Sequence, residues 1–370
     1  MKEIKGYGFY HRLEEFRSYP AGQVIFEEGQ DGSEMFVVMD GEVLITVEGT
    51  LIDSLGPGSI FGEMALVDER PRSATATAVV DSKLFPVDLG QFLKLIQESP
   101  DFALETMSVM SQRMREFIED EVQRQRLEEE LEIGRRIQLS LLPDRCPIIS
   151  GWDVAATYRS ARQVGGDLYD FISSPGNSQQ IHFVIADVTG KGVPAALFMA
   201  SARMAVRAES LNGCSPAETL RRVNRLLSHD QHSPLFLGAI FATLDNPTGK
   251  LTYANGGLES PLWLRSETGQ IEALSAKGML LGAFEEIPVE EQELEIALGD
   301  YLVFFTDGLT EARNEEGHFF GEERLLEMMA ARSWDGADQL LQAIVGAVDE
   351  FTGPTPAADD LTLVVIRRKE

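Results

Sequence analysis

Four aspartates lie where apolar runs break off, and their surroundings suggest that they act together. They are Asp167 in Gly165-Gly166-Asp167-Leu168-Tyr169-Asp170, Asp187 in Ala186-Asp187-Val188-Thr189-Gly190-Lys191-Gly192, Asp307 in Thr306-Asp307-Gly308, and Asp359 in Asp359-Asp360-Leu361-Thr362. Three adjoin an apolar strand and the fourth follows two glycines, so folding can bring them to one sheet edge. Taken singly, an Asp-Gly pair reads as a turn. Clustered carboxylates cannot all stay ionised without counter-charge, and divalent cations supply it. An oxygen-only donor set selects Mg²⁺ or Mn²⁺ over zinc. Other catalytic schemes find no support. Trp152 and Leu220 stand where the arginine of a thiolate phosphatase would follow Cys146 and Cys214, and Ile185 replaces the first glycine of a nucleotide-binding loop ending at Gly190-Lys191. His11, His182, His229, His232 and His318 share no metal-like spacing. Arg162, near Asp167, reads as a surface arginine with contact to a substrate phosphate as the competing role.

A second constellation lies in the N-terminal half: Phe61-Gly62-Glu63-Met64-Ala65-Leu66, then Arg70-Pro71-Arg72-Ser73-Ala74-Thr75. A cyclic phosphodiester needs a fixed cation and free amides at its phosphate, and a carboxylate for the ribose hydroxyl. Arg72 and Glu63 provide the cation and the carboxylate. The competing reading is that they pair with each other on a barrel that has lost its ligand.

These residues need elements to carry them. Residues 21–87 read as short strands separated by Asp31-Gly32, Asp40-Gly41, Glu48-Gly49 and Gly56-Pro57-Gly58, with Val43, Ile45 and Val47 on one face. That pattern predicts a small antiparallel β jelly-roll barrel. Residues 101–142 hold one glycine and no proline and predict a helix about 60 Å long, stopped by Pro143. Met107, Met110, Met114 and Phe117, then Leu127, Leu131, Gly134, Gln138 and Leu141, step by three or four, but 119–126 offers only Val122. A coiled-coil homodimer and a solvated or hinged connecting helix both fit. From 152 onward strands (181–186, 236–244, 251–253, 302–306, 361–366) alternate with helix (194–207), which implies a layered α/β domain.

The net charge of −28 over 370 residues repels nucleic acid and anionic membrane. With two cysteines and neither a signal peptide nor a membrane span evident, the expectation is a cytoplasmic, multidomain protein without a disulfide framework.

The 61–75 segment resembles the phosphate-binding cassette of cyclic nucleotide-binding domains in Crp/Fnr-like regulators and cyclic-nucleotide-dependent kinases. That resemblance implies Arg72 on the cyclic phosphate, Glu63 on the ribose, and Gly62, Met64, Ala65 and Ser73 shaping the cradle for cAMP or cGMP. The motifs from about residue 130 onward, including Gly192-Val193-Pro194 and Leu298-Gly299-Asp300, closely resemble the SpoIIE/RsbU branch of metal-dependent protein serine/threonine phosphatases of the protein phosphatase 2C type. It implies an α/β sandwich of two β-sheets flanked by helices, holding two Mn²⁺ or Mg²⁺ ions. Asp187 would bridge them, the Val188 carbonyl would join, and Asp167, Asp307 and Asp359, or the adjoining Asp360, would complete the set. The implied substrate is a phosphoprotein, of the kind of a STAS-type anti-sigma-factor antagonist. Two departures from the family pattern stand out: Asn255-Gly256-Gly257-Leu258, and Gly238 in place of a threonine. The expected organisation is 1–105 nucleotide-binding, 106–145 helical linker and 146–370 phosphatase. The alternative is a catalytically silent, cyclic-nucleotide-gated phosphoprotein-binding module.

Overall fold

The computed structural model describes residues 16–64, 70–98, 100–174, 176–229 and 235–369, and the chain divides into two compact units, 1–125 and 126–370. Among the described residues of the first, eight strands form two four-stranded antiparallel sheets. One has the order β1 (Arg17–Tyr19), β8 (Ser82–Asp88), β3 (Glu34–Asp40), β6 (Ile60–Phe61); the other β2 (Val24–Phe26), β7 (Thr75–Ala78), β4 (Val43–Val47), β5 (Thr50–Leu55). Both faces of β3 are buried: Phe36 and Val38 join the core shared by the two sheets, while Met35 and Val37 pack under Leu95 of helix α1 (Leu89–Glu98). Asp88 and Gln91 start α1 with a reciprocal cap, the Gln91 amide donating to Asp88 Oδ1 at 2.7 Å and the Asp88 amide to Gln91 Oε1 at 3.0 Å. The expected jelly-roll architecture is present as these two sheets. Ala65 lies outside the described residues.

Helix α2 runs Pro100–Leu141, without a break at the polar stretch 119–126. The residues of the expected apolar seam divide among different tasks. Phe117 lines a cavity of the first unit, while Gly134 and the buried Gln138 face Val164 and Gly165 of the second. Met107 and Met114 stay exposed, and Leu104 and Ile118, also exposed, extend them at intervals of three, seven and four.

The second unit stacks two five-stranded sheets: β10 (Leu168–Ser173), β11 (Gln180–Val188), β12 (Leu237–Asp245), β13 (Lys250–Gly256), β16 (Glu291–Glu295); and β15 (Ile271–Ala273), β14 (Leu262–Leu264), β17 (Tyr301–Phe305), β18 (Leu361–Arg368), β9 (Trp152–Arg159). Alternation along β17 shows why it reads as unbroken apolar sequence. Leu302 and Phe304 face the other sheet, while Tyr301, Val303 and Phe305 face helices α6 (Gly321–Ala330) and α7 (Ala337–Thr352). Helices α3 (Val193–Ser210) and α4 (Pro216–His229) cover the first sheet. The result is a four-layered α/β sandwich. Among the described residues no helix is long and apolar enough to cross a membrane.

Candidate active site and ligand cavity

Strand register places the aspartates. Leu168 of β10 pairs with Ala186 of β11, so Asp167 and Asp187 are carried to the same end of the first sheet. In the second sheet Phe305 pairs with Leu363 and the Thr306 amide bonds the Thr362 carbonyl at 3.1 Å, which brings Asp307 and Asp359 to the corresponding end. The sheets are joined there through one carboxylate oxygen: Thr306 and Thr362 donate their hydroxyls to Asp167 Oδ2 at 2.7 and 2.6 Å. Burial, then the neighbouring Asp187, pushes the Asp167 carboxyl well above the usual range. Burial, reinforced by Asp307, Asp359 and Asp360, pushes Asp187 up to about 7, and Asp307 is raised by burial and by Asp359. All four predicted aspartates thus form one electrostatic group.

Asp360 has a different environment. Its Oδ1 accepts from the Ala161 amide at 2.8 Å and its Oδ2 from the Gly166 amide at 2.6 Å, so both oxygens pin the loop that carries Asp167. Asp359 instead meets Lys191, whose Nζ lies 2.5 Å from Oδ2 and also donates to the Ala358 carbonyl at 2.6 Å. Glycines admit these approaches: a side chain at Gly165 would strike the Asp360 carboxylate and the Tyr158 hydroxyl, and one at Gly308 would strike the Asp360 carbonyl. Gly308 is therefore no turn glycine; it sits in the single-turn helix α5 (Asp307–Thr310). The turns belong to Gly190 and Gly192, with φ of 95° and 75°, between which Lys191 is presented.

As the side chains lie, no three acidic or imidazole groups among the described residues converge on one point. The donors nonetheless fit a hard divalent cation by chemistry: they are carboxylate oxygens, adjoined by the buried Val188, and a cation would offset the burial and the mutual repulsion that raise Asp167 and Asp187.

Gln138, expected only as part of the seam along the helix, lies at this site. It is buried, donates Nε2 to the Gly165 carbonyl at 2.5 Å and accepts the Gly165 amide on Oε1 at 3.0 Å, two residues from Asp167. Glu259 was not anticipated; burial, with Asp307 and Glu311, raises its carboxyl. Arg162 is exposed, with Nη1 3.9 Å from where a side chain at Gly192 would begin. The two departures from the family pattern pack together. Gly238 pairs with Asp187 across β11 and β12, and a side chain there would press on the Gly257 carbonyl at 3.1 Å and on Leu258. Asn255 closes that turn, accepting the Leu258 amide and donating to its carbonyl, each at 2.8 Å.

In the first unit Glu63 and Arg72 do not pair with each other. Arg72 donates Nη1 to the Gly62 carbonyl at 2.9 Å and Nη2 to the Glu34 carbonyl at 2.7 Å and lies 4.1 Å over the Phe26 ring, leaving Nε buried without a hydrogen-bond partner. Glu63 is bridged at 2.9 Å by Arg113 of α2, which also donates to the Ile60 carbonyl at 2.8 Å. A side chain at Gly32 would overlap the Arg72 guanidinium, which explains the glycine in Asp31-Gly32. Ser73 donates its hydroxyl to Met64 Sδ at 3.6 Å. Gly62, Glu63, Met64, Arg72 and Ser73 all line one cavity of about 430 Å³, within the range of small-ligand sites.

Comparison with known proteins agrees with both halves. The family model Stage II sporulation protein E (SpoIIE) matches residues 177–369, and that of the Cyclic nucleotide-binding domain matches 16–99. Phosphoserine phosphatase RsbU of Bacillus subtilis is 28% identical over 271 residues, 73% of this chain and 79% of its own length. The Cyclic AMP receptor protein of Thermus thermophilus is 39% identical over 106 residues, 27% of this chain and 49%, about half, of its own length. Among solved structures, the SiaA-PP2C domain of Pseudomonas aeruginosa superposes with a TM-score of 0.58 at 23% identity, covering 66% of this chain and 98% of that one, which shows the fold. With matches over both units and the aspartates gathered at one edge of a phosphatase 2C sandwich, the chain belongs to the SpoIIE family of PP2C-type protein phosphatases and carries a cyclic nucleotide-binding domain on its N-terminal side.

Proposed function

We propose that this protein is a divalent-metal-dependent protein serine/threonine phosphatase whose activity is set by a cyclic nucleotide. One observation carries the catalytic part: two sheets deliver Asp167, Asp187, Asp307 and Asp359 to one edge, where burial and mutual repulsion leave a deficit of positive charge. Two Mn²⁺ or Mg²⁺ ions held by these four side chains and the Val188 carbonyl would supply Lewis-acid activation of water and neutralise the phosphoryl oxygens. Asp360 anchors the loop of Asp167 through two backbone amides and is not counted among the ligands. Thr306 and Thr362 fix the orientation of the Asp167 carboxylate, and the exposed Arg162 and Lys191 offer cations to an incoming phosphoester. No side-chain nucleophile is needed; Cys146 is buried enough that its thiol is pushed up, away from the reactive thiolate.

The likeness to RsbU, a phosphoserine phosphatase, favours a phosphoserine protein as substrate, and the resemblance of the motifs to the SpoIIE/RsbU branch favours an anti-sigma-factor antagonist of the STAS type among such proteins. In the first unit, Arg72 would turn its guanidinium to the cyclic phosphate and Glu63, with Arg113, would hold the ribose. Helix α2 carries Arg113 at the nucleotide cavity and Gln138 at Gly165, so nucleotide binding and the loop of Asp167 act on one element. The exposed Leu104, Met107, Met114 and Ile118 suit a homodimer formed along α2.

The test is phosphate release from a phosphoserine protein with Mn²⁺, with and without cAMP or cGMP, using Asp187→Ala as control. Metal-dependent turnover lost in the variant is expected. A wild-type chain inert with every metal and nucleotide, yet still binding phosphoprotein, would make it a silent binding module.

A further inference from the structure

The nucleotide cavity has two chemically different ends. At one stand the Gly62-Glu63 turn, the Arg72 guanidinium and Ser73. Helix α2 gives the direction of the other: Arg113 is bonded to Glu63, and Asp120, seven residues on, stands about 10 Å farther along the helix axis. There α2 contributes Glu116, Phe117 and Asp120, which line the cavity together with Ile45, Ile52 and Asp53 of β4 and β5. The aromatic ring and the aliphatic wall suit a flat base. The polar side chains that α2 adds beyond Arg113 are carboxylates, acceptors when ionised, as is Asp53, whereas the donors among the described lining residues, Arg72, Arg113 and Ser73, are engaged with Gly62, Glu63 and Met64.

An acceptor-only wall sorts bases. Guanine presents N1–H and the N2 amino group side by side, two parallel donors that a carboxylate accepts with both oxygens. Adenine presents its N6 amino group beside the N1 lone pair, so one contact forms and the other places a lone pair against a carboxylate oxygen. From this geometry we propose that the cavity is selective for guanine, that the regulatory ligand is 3′,5′-cyclic GMP, and that Glu116 and Asp120 are the specificity-determining residues. Gln112 donates to Glu116 Oε1 at 3.0 Å and steadies that carboxylate. The inference rests on the reading of this cavity as a cyclic nucleotide site.

Calorimetric titration of the full chain with cGMP and with cAMP at one salt concentration tests it. Wild type is expected to bind cGMP on the order of 10- to 100-fold more tightly, the discrimination of a good bidentate base contact. The Glu116→Gln, Asp120→Asn double variant, whose positions are exposed and leave the core untouched, is expected to keep its melting temperature and bring the two affinities to near equality. Equal or tighter binding of cAMP by wild type, or a cGMP preference that survives the double substitution, overturns guanine selection while leaving the nucleotide site standing. Failure of both nucleotides to bind wild type overturns the nucleotide reading itself, and this inference with it.

Discussion

Asp359 finds a cation within its own chain: Lys191 lies against it and competes with any divalent ion for the same oxygen. Replacing Lys191 with Met is expected to tighten Mn²⁺ binding by up to about tenfold, a shift of about 1.4 kcal/mol, and to lower the melting temperature in chelator; calorimetry and a thermal scan read the two effects. His182 contributes to the pH dependence of the fold. It is buried against Phe241, with Nδ1 2.8 Å from Thr243 Oγ1, and burial lowers its pKa, so the folded state favours the neutral ring. That contribution is complete above the ordinary value near 6.5 and is lost as pH falls through the depressed folded value. Between pH 7 and 5 wild type should lose stability more steeply than His182→Leu, by no more than about 2 kcal/mol, the limit set by roughly 1.4 kcal/mol per pH unit. Sequence alone singled out Glu63, Arg72 and the aspartates by residue type. It did not reveal Arg113, and it put Gln138 in the seam without its contact to Gly165, because a long polar side chain on a helix has no sequence mark that separates a solvated position from a buried contact.

At the level of elements, the last turns of α2 meet the loop of Asp167 through the Gln138 amide, which satisfies both polar groups of Gly165. Gln138→Leu would leave a buried N–H and C=O without partners. A loss of about 2 to 4 kcal/mol is expected in denaturant unfolding, together with weaker Mn²⁺ binding. Gly165→Ala should destabilise as well, since the added methyl group meets Asp360 and Tyr158. The strands of the second unit were legible as apolar runs because β11, β12, β17 and β18 are covered on both faces. The seam along α2 was only partly legible. Spacing of three and four marks an apolar stripe but does not say what covers it, and here a ligand cavity and the phosphatase sandwich take Phe117 and Gln138 from it.

For the whole molecule, the exposed apolar positions left on α2 predict a dimer by sedimentation that Met114→Glu with Ile118→Glu converts to monomer, the nucleotide affinity remaining measurable in both forms. The change in texture after residue 100 was legible, since glycine-marked strands give way to a glycine-poor run and then to alternating elements, and the organisation 1–105, 106–145 and 146–370 drawn from it stands as a proposal beside the two compact units. Which residues of the two sheets meet was not, because register across a sandwich is set by packing that no local pattern records. The Thr306 and Thr362 link to Asp167 ties the two sheets at the spot where their acids repel. Ions entering there would act as a rivet as well as a reagent, so the domain's resistance to proteases, and with it the enzyme's half-life, would follow the supply of manganese or magnesium.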